Sequence, residues 1–227
     1  ADYVAFPTYV VSKLAKEKVS VVLTGDGGDE IFGGYNRYKT ELLIRRYRTI
    51  PLLLRKYTLN PILKAFSRLF NIDSRSRQFA DALVKRNKES LLPFKDAYFE
   101  SLQKFDFNLK NKVLKYNPIT KKFPIVAMCN HWKNDIDFLS KRLYADQKTN
   151  LPEDMLTKVD RVSMAVSLEA RVPFLDHRII ELEATIPSKY KIKKYRLKHF
   201  LKESFNELLP QNILNRPKHG FSSPIDV

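Results

Sequence analysis

The chain has 227 residues, 44% hydrophobic and 12% aromatic, enough to bury a real core in one large domain. Its single cysteine, Cys129, excludes a disulfide framework or a cysteine-rich zinc site and fits a reducing cytoplasm; no apolar run is long enough to span a bilayer. The formal net charge of +16 implies a field that draws in polyanions without naming one, and much of the excess falls between Arg37 and Lys122.

In chain order, Pro7 to Lys18 carries Val10, Val11 and Leu14 among charged residues, which predicts a helix. Val19 to Leu23 is a short β-branched run with the composition of a buried parallel strand. It ends in the glycine-rich stretch Thr24-Gly25-Asp26-Gly27-Gly28-Asp29-Glu30. A loop of this kind at the carboxyl end of a strand is the layout of an α/β sheet, whose ligands sit at that edge. From Ile31 to about Asn150 the pattern is helical, broken at Pro51, Pro61, Pro93, Pro118 and Pro124. The apolar runs Leu42–Ile44 and Leu52–Leu54, each beside basic pairs, are expected to pack into a core rather than to meet a membrane. A helix with one buried face is predicted from Leu151 through Val159, Val162, Val166 and Leu168, ending at Arg171-Val172-Pro173. Asp176 is placed to cap a second short helix running to Thr185, and a further helix is expected from about Leu197 to Leu209.

The chain has six glycines, and five of them lie between Gly25 and Gly34; the sixth, Gly220, neighbours Lys218. Concentrating the residue with the most freedom to lose implies a backbone that turns tightly or lets a ligand approach closely. Successive N–H groups after a strand can cradle phosphate oxygens. Asp26, Asp29 and Glu30 share the loop, and carboxylates facing a polyanion need a hard cation between them; Mg²⁺ typically uses one or two carboxylates plus phosphate oxygens. The plainer alternative is a tight turn whose acids favour the positive end of the next helix. The loop is neither a Walker A sequence nor a dinucleotide fingerprint. His131, His177, His199 and His219 show no metal-ligand spacing.

Three blocks carry a family resemblance. Leu23 to Tyr35 is similar to the second pyrophosphate-binding signature of the asparagine synthetase family. Lys158 to Ala165 running into Glu169 to Asp176, and the terminal Arg216-Pro217-Lys218-His219-Gly220-Phe221, resemble two further blocks in the same order. The resemblance implies an α/β, helix-rich fold: part of an adenine-nucleotide alpha-hydrolase-like (HUP) parallel-sheet domain with a helical carboxyl-terminal portion. Residues 1–227 would then be a partial synthetase domain, without its amino-terminal strands, the first pyrophosphate loop or the glutaminase domain. It implies ATP and Mg²⁺ as cofactors and amidation of aspartate to asparagine through a β-aspartyl-AMP intermediate, with ammonia from glutamine. Thr24, Gly25, Gly27 and Gly28 would hold pyrophosphate, Asp29 would bind Mg²⁺, and Lys218 would stabilise the phosphoryl transition state. Asp26 stands where some relatives carry glutamate, a candidate proton acceptor for ammonia. Lys158, Asp160 and Arg161 are candidates to shape the acceptor's pocket, and their spacing equally suits a surface salt-bridge cluster.

The partners this implies are small molecules and the glutaminase domain of the same polypeptide. Neither nucleic acid nor membrane is expected, a homodimer is compatible, and the location expected is the cytoplasm. Two alternatives stand beside this reading: a same-family amidotransferase acting on another carboxylate, such as one in surface-polysaccharide or natural-product assembly, and a basic nucleic-acid-binding module motivated by a pI of about 9.8.

Overall fold

The computed structural model describes residues 4–70, 75–93, 96–97, 112–113 and 136–216. The chain divides into two compact units, Ala1–Lys39 with His131–Val227, and Thr40–Asn130.

In the first unit α1 (Ala5–Lys16) leads into β1 (Val21–Leu23), the glycine turn and the short α2 (Gly28–Phe32). After α3 (Asn36–Tyr47), which begins in this unit, the unit resumes with α7 (Phe138–Lys148), a π-helical stretch Leu151–Leu156 and α8 (Thr157–Met164). Asp137 starts α7 by accepting from the Leu139 and Ser140 amides at 3.0 and 3.2 Å, satisfying donors that a helix start leaves open. The predicted helix from Leu151 ends earlier than its apolar spacing suggests. Ser167 takes a left-handed φ of 57°, and the amides of Ser167 and Leu168 return to the carbonyls of Met164 and Ser163, a Schellman stop. That stop frees Glu169–Arg171 to form β2, which pairs in parallel with β1, Val22 opposite Ala170. A 3-10 turn, Pro173–Leu175, and α9 (His177–Thr185) follow, with Asp176 accepting from the Arg178 amide at 2.9 Å as the sequence leads one to expect. Three short helices, α10 (Ser188–Lys191), α11 (His199–Ser204) and α12 (Gln211–Leu214), end the described part.

The expected α/β class, a HUP-type parallel-sheet domain, is corrected by these elements. Among the described residues there is one sheet of two strands, three residues each, and the rest of the regular structure is helical. The physical reason is visible in the sequence: Val19 to Leu23 is a solitary β-branched run, and its partner is a three-residue stretch cut from the end of a helix. Nor is β1 a buried strand, since Val21 and Leu23 are 38% and 73% exposed.

The core of this unit is apolar and gathers behind the glycine turn. Ile31 and Phe32 of α2, Leu139 and Leu143 of α7, Leu151, Leu168 and Ile192 are all buried. Phe32 meets Phe174 edge to face at 5.9 Å between ring centres.

The second unit holds α4 (Leu52–Leu54), a π turn Arg55–Leu59, α5 (Asn60–Arg68) and α6 (Arg75–Leu91), with α5 packed along α6. Among the described residues its buried side chains are mostly polar. Arg55 donates to the Ile50 carbonyl at 2.9 Å and to the Ser90 hydroxyl at 3.1 Å. Tyr47 donates to Asn87 at 2.9 Å, and Asn87 to Asn60 at 3.2 Å. The expectation that Leu52–Leu54 packs into a core is overturned, because all three leucines are exposed.

Candidate functional site

The site is built on the turn from β1 to α2. Thr24 leaves the ladder with its amide bonded to the Arg171 carbonyl at 2.8 Å, so β2 fixes where the turn begins. Its hydroxyl oxygen is buried without a hydrogen-bond partner. A buried hydroxyl left unsatisfied costs free energy, roughly 1–3 kcal/mol, and marks a position suited to a polar ligand. Gly25 borders open space, whereas Gly27 has φ +79° and its missing Cβ would lie 2.4 Å from Leu175 Cδ2. At Gly28 an added Cβ would meet the Phe174 ring at 3.1 Å. The 3-10 turn Pro173–Leu175 therefore presses directly on the loop, and side chains there would force the two apart.

Asp29 stands in the first turn of α2. Its Oδ1 lies 2.6 Å from Lys198 Nζ, an ion pair with both side chains largely shielded from water. A Cβ on Gly34 would fall 1.9 Å from Asp29 Oδ1 and 2.3 Å from Lys198 Cε, so glycine is required there for the pair to close. Lys198 holds a left-handed φ of 52° and donates its amide to the Gly33 carbonyl at 3.3 Å. A non-glycine residue in that region stores on the order of 1 kcal/mol, kept only where the surroundings fix it. Burial lowers the Lys198 pKa, and the nearby Glu30 carboxyl works in the opposite direction.

Glu30, one residue on, turns the other way. It is 1% exposed and accepts from the Tyr35 hydroxyl at 2.5 Å, while burial raises its pKa. It belongs to the support of the site rather than its mouth. Behind it, the fully buried Asp146 accepts from Tyr38 at 2.7 Å and Arg37 at 3.1 Å, with Arg142 Nε 3.6 Å away. Arg37 also stacks over the Tyr35 ring at 4.4 Å, so α7 is tied to α3 by a charged, buried knot directly behind α2.

Thr24, Gly25, Asp26, Gly27, Gly28 and Asp29 thus share one turn. Lys158, Asp160 and Arg161 stand on another element, α8: Lys158 is half-buried near Met155, and Asp160 and Arg161 face solvent. Lys218 lies outside the described residues, as do Cys129, His131 and His219. Sequence reasoning missed Lys198, Phe174 and Leu175 as neighbours of the loop. Lys198 carries no local signal, being one of four lysines between Lys191 and Lys198. Phe174 and Leu175 fall within the block Glu169 to Asp176, whose resemblance gives them no role.

Asp29 offers a carboxylate oxygen in a shielded turn and Gly25 borders open space, a setting compatible with Mg²⁺ beside phosphate oxygens. Among the described residues no group of three or more His, Cys, Asp or Glu side chains is arranged to hold a metal by itself. Nor is any described helix long and apolar enough to cross a membrane.

The turn thus joins close-packed glycines, an orphan hydroxyl and one shielded acid. The Asparagine synthase family matches the whole chain, residues 1–227, and the chain belongs to that family. It is 33% identical to asparagine synthetase [glutamine-hydrolyzing] 1 of Bacillus subtilis over 99% of its length and 34% of that protein's. Asparagine synthetase [glutamine-hydrolyzing] 3 of the same organism is 26% identical over 91% of the chain and 27% of its own length. The asparagine synthetase [glutamine-hydrolyzing] of Cricetulus griseus is 45% identical over 71 residues, 30% of the chain and 13% of that protein. The chain therefore spans about a third of the length of curated relatives that match nearly all of it. No solved structure matches it.

Proposed function

We propose that this chain supplies the pyrophosphate- and magnesium-binding half of an ATP-dependent amide-forming site, and that the complete enzyme converts aspartate to asparagine. A carboxylate is a poor electrophile. Joining it to AMP, with release of pyrophosphate, creates an acyl-adenylate that ammonia can attack, giving the amide and AMP. The protein's task is to stabilise the charge that develops on the departing diphosphate, and a well-placed donor can contribute about 3 kcal/mol to that.

In this reading the Thr24 hydroxyl and the backbone of Gly25, Gly27 and Gly28 hold the diphosphate oxygens. Asp29 would hold Mg²⁺, which neutralises phosphate charge when bound. Lys198 is the chain's own counter-charge to Asp29 and places an ammonium at the same spot. Lys218 is assigned to the phosphoryl group, and Asp26 to the proton that incoming ammonia must lose. Lys158, Asp160 and Arg161 are assigned to the acceptor carboxylate, with ammonia drawn from glutamine by a glutaminase domain of the same polypeptide.

The observation that carries this reading is the turn in which Gly34 lets the Asp29–Lys198 pair close, Gly25 borders open space and a buried threonine hydroxyl lacks a partner. The test is aspartate-dependent exchange of labelled pyrophosphate into ATP by the full-length protein, followed by asparagine formation with glutamine. Both reactions are expected. Exchange supported only by some other carboxylate would contradict aspartate as the acceptor, and no exchange with any acceptor would contradict the adenylation chemistry itself.

A further inference from the structure

Asp29 already has a cation. Lys198 Nζ lies 2.6 Å from its Oδ1, with the two side chains 28% and 16% exposed, so the carboxylate assigned to a metal is held by a charge of the chain's own. The backbone on both sides is shaped around that pair. At the end of α2, an added Cβ would fall 3.1 Å from Ile192 Cγ1 at Gly33 and 2.3 Å from Lys198 Cε at Gly34. On the facing segment Lys194, Tyr195 and Lys198 take left-handed φ values of 47°, 62° and 52°, a region that L side chains seldom enter. The Lys198 amide fastens this strained segment to the Gly33 carbonyl at 3.3 Å. An ordinary surface ion pair is worth too little to hold a backbone in such a state. The ammonium also lies against the loop, since a Cβ on Gly28 would be 3.7 Å from Lys198 Nζ. All of these residues belong to the described part of one compact unit.

We infer that Lys198 is a placeholder for the metal, closing Asp29 to free Mg²⁺ and admitting the ion only as its polyphosphate complex. This rests on the reading of Asp29 as the magnesium ligand. Free Mg²⁺ gives up its waters reluctantly, and here it meets a carboxylate whose charge is already compensated, beside an ammonium that repels it in a place shielded from water. Magnesium bound to diphosphate carries net negative charge instead. Its phosphate oxygens compensate the metal and the ammonium together, so Asp29 exchanges one cation for the other without leaving either charge unpaired. The consequence is coupling: metal and polyphosphate enter together, each raising the affinity for the other. If a group from elsewhere in the full-length polypeptide, rather than Lys198, held Asp29 there, replacing Lys198 would leave free-metal binding unchanged, so the test uses that protein.

The test is calorimetric titration of Mg²⁺ alone, and separately of magnesium pyrophosphate, into wild type, Lys198→Met, Asp29→Asn and the double variant. Wild type is expected to bind free Mg²⁺ weakly, and Lys198→Met to bind it at least about tenfold more tightly, a size ordinary for coupled sites. In the Asp29→Asn background the same replacement should change nothing, because the carboxylate that the lysine guards is gone. Lys198→Gly is the second variant: it removes the ammonium yet suits the left-handed backbone, and it should behave as Lys198→Met does. Mg²⁺ alone should also raise the melting temperature of both lysine variants and leave that of wild type unmoved, a response that a merely structural ion pair would not produce. Free Mg²⁺ bound equally by wild type and both lysine variants, with Asp29→Asn still losing magnesium pyrophosphate, would overturn the inference and leave the diphosphate reading intact. Magnesium pyrophosphate bound as well by Asp29→Asn as by wild type would overturn both.

Discussion

The two compact units solve the problem of an interior in opposite ways. Around the glycine turn, buried aliphatic and aromatic residues such as Ile31, Phe32, Leu139 and Leu168 accompany a small charged knot at Asp146. In Thr40–Asn130, Ala80 is the one buried hydrophobic among the described residues, and the interior is made of Arg55, Ser67, Asn87, Glu89 and Ser90. The first arrangement suits holding atoms in fixed places, which the proposed diphosphate site requires. Among the described residues of the second, Leu52, Leu53, Leu54, Tyr57, Ile62 and Leu69 lie outside.

If that contrast is right, substitutions behind the turn should be costly and those on the leucine face nearly free. The largest effect is expected from Asp146→Ala. It would strand the buried Arg142 cation, the half-buried Arg37 and the Tyr38 hydroxyl, costing about 3–5 kcal/mol in urea unfolding of the full-length protein. Gly34→Ala should follow. Its Cβ would collide with Asp29 and Lys198, so about 1–3 kcal/mol is expected from overpacking, together with loss of pyrophosphate exchange beyond what that destabilisation explains.

Asp137→Ala should cost about 1 kcal/mol through the lost cap of α7. Although partial burial alone would raise the Asp137 pKa, bonds from Ser140, Ser188 and the Leu139 amide hold it below the ordinary 3.8. A depressed carboxylate contributes stability above its unfolded value and loses it as the pH falls through its folded one. The difference between wild type and Asp137→Ala should therefore be full at neutral pH and close as the pH drops below 3.8, which melting curves across that range would check. The smallest effect is expected from Leu53→Asp, whose unfolding free energy should stay within about 0.5 kcal/mol of wild type. A cost as large as that of Gly34→Ala would mean that Leu53 is packed and the contrast false.

Local signals in the sequence were read well and long-range ones poorly. The clustering of glycines marked the turn, because φ and close approach are properties of single residues, as Gly27 and Gly34 bear out. Asp176 marked the start of α9 for the same reason. The sheet was overread, since one β-branched run says nothing of how many neighbours it finds, and β2 was hidden at the end of a helical pattern that Ser167 cuts short. Lys198 could not be singled out, because what makes it matter is a left-handed backbone and a partner on a distant element. The outward face of Leu52–Leu54 was misread because periodicity shows that a helix is amphipathic but not which side faces water, and here a buried arginine decides it.

Calorimetric titration of magnesium pyrophosphate into the full-length protein, wild type against Asp29→Asn, bears most directly on the site. The account predicts roughly a hundredfold loss of affinity in the variant, and loss of wild-type binding when the metal is chelated. Equal affinities, or wild-type binding indifferent to chelation, would contradict it.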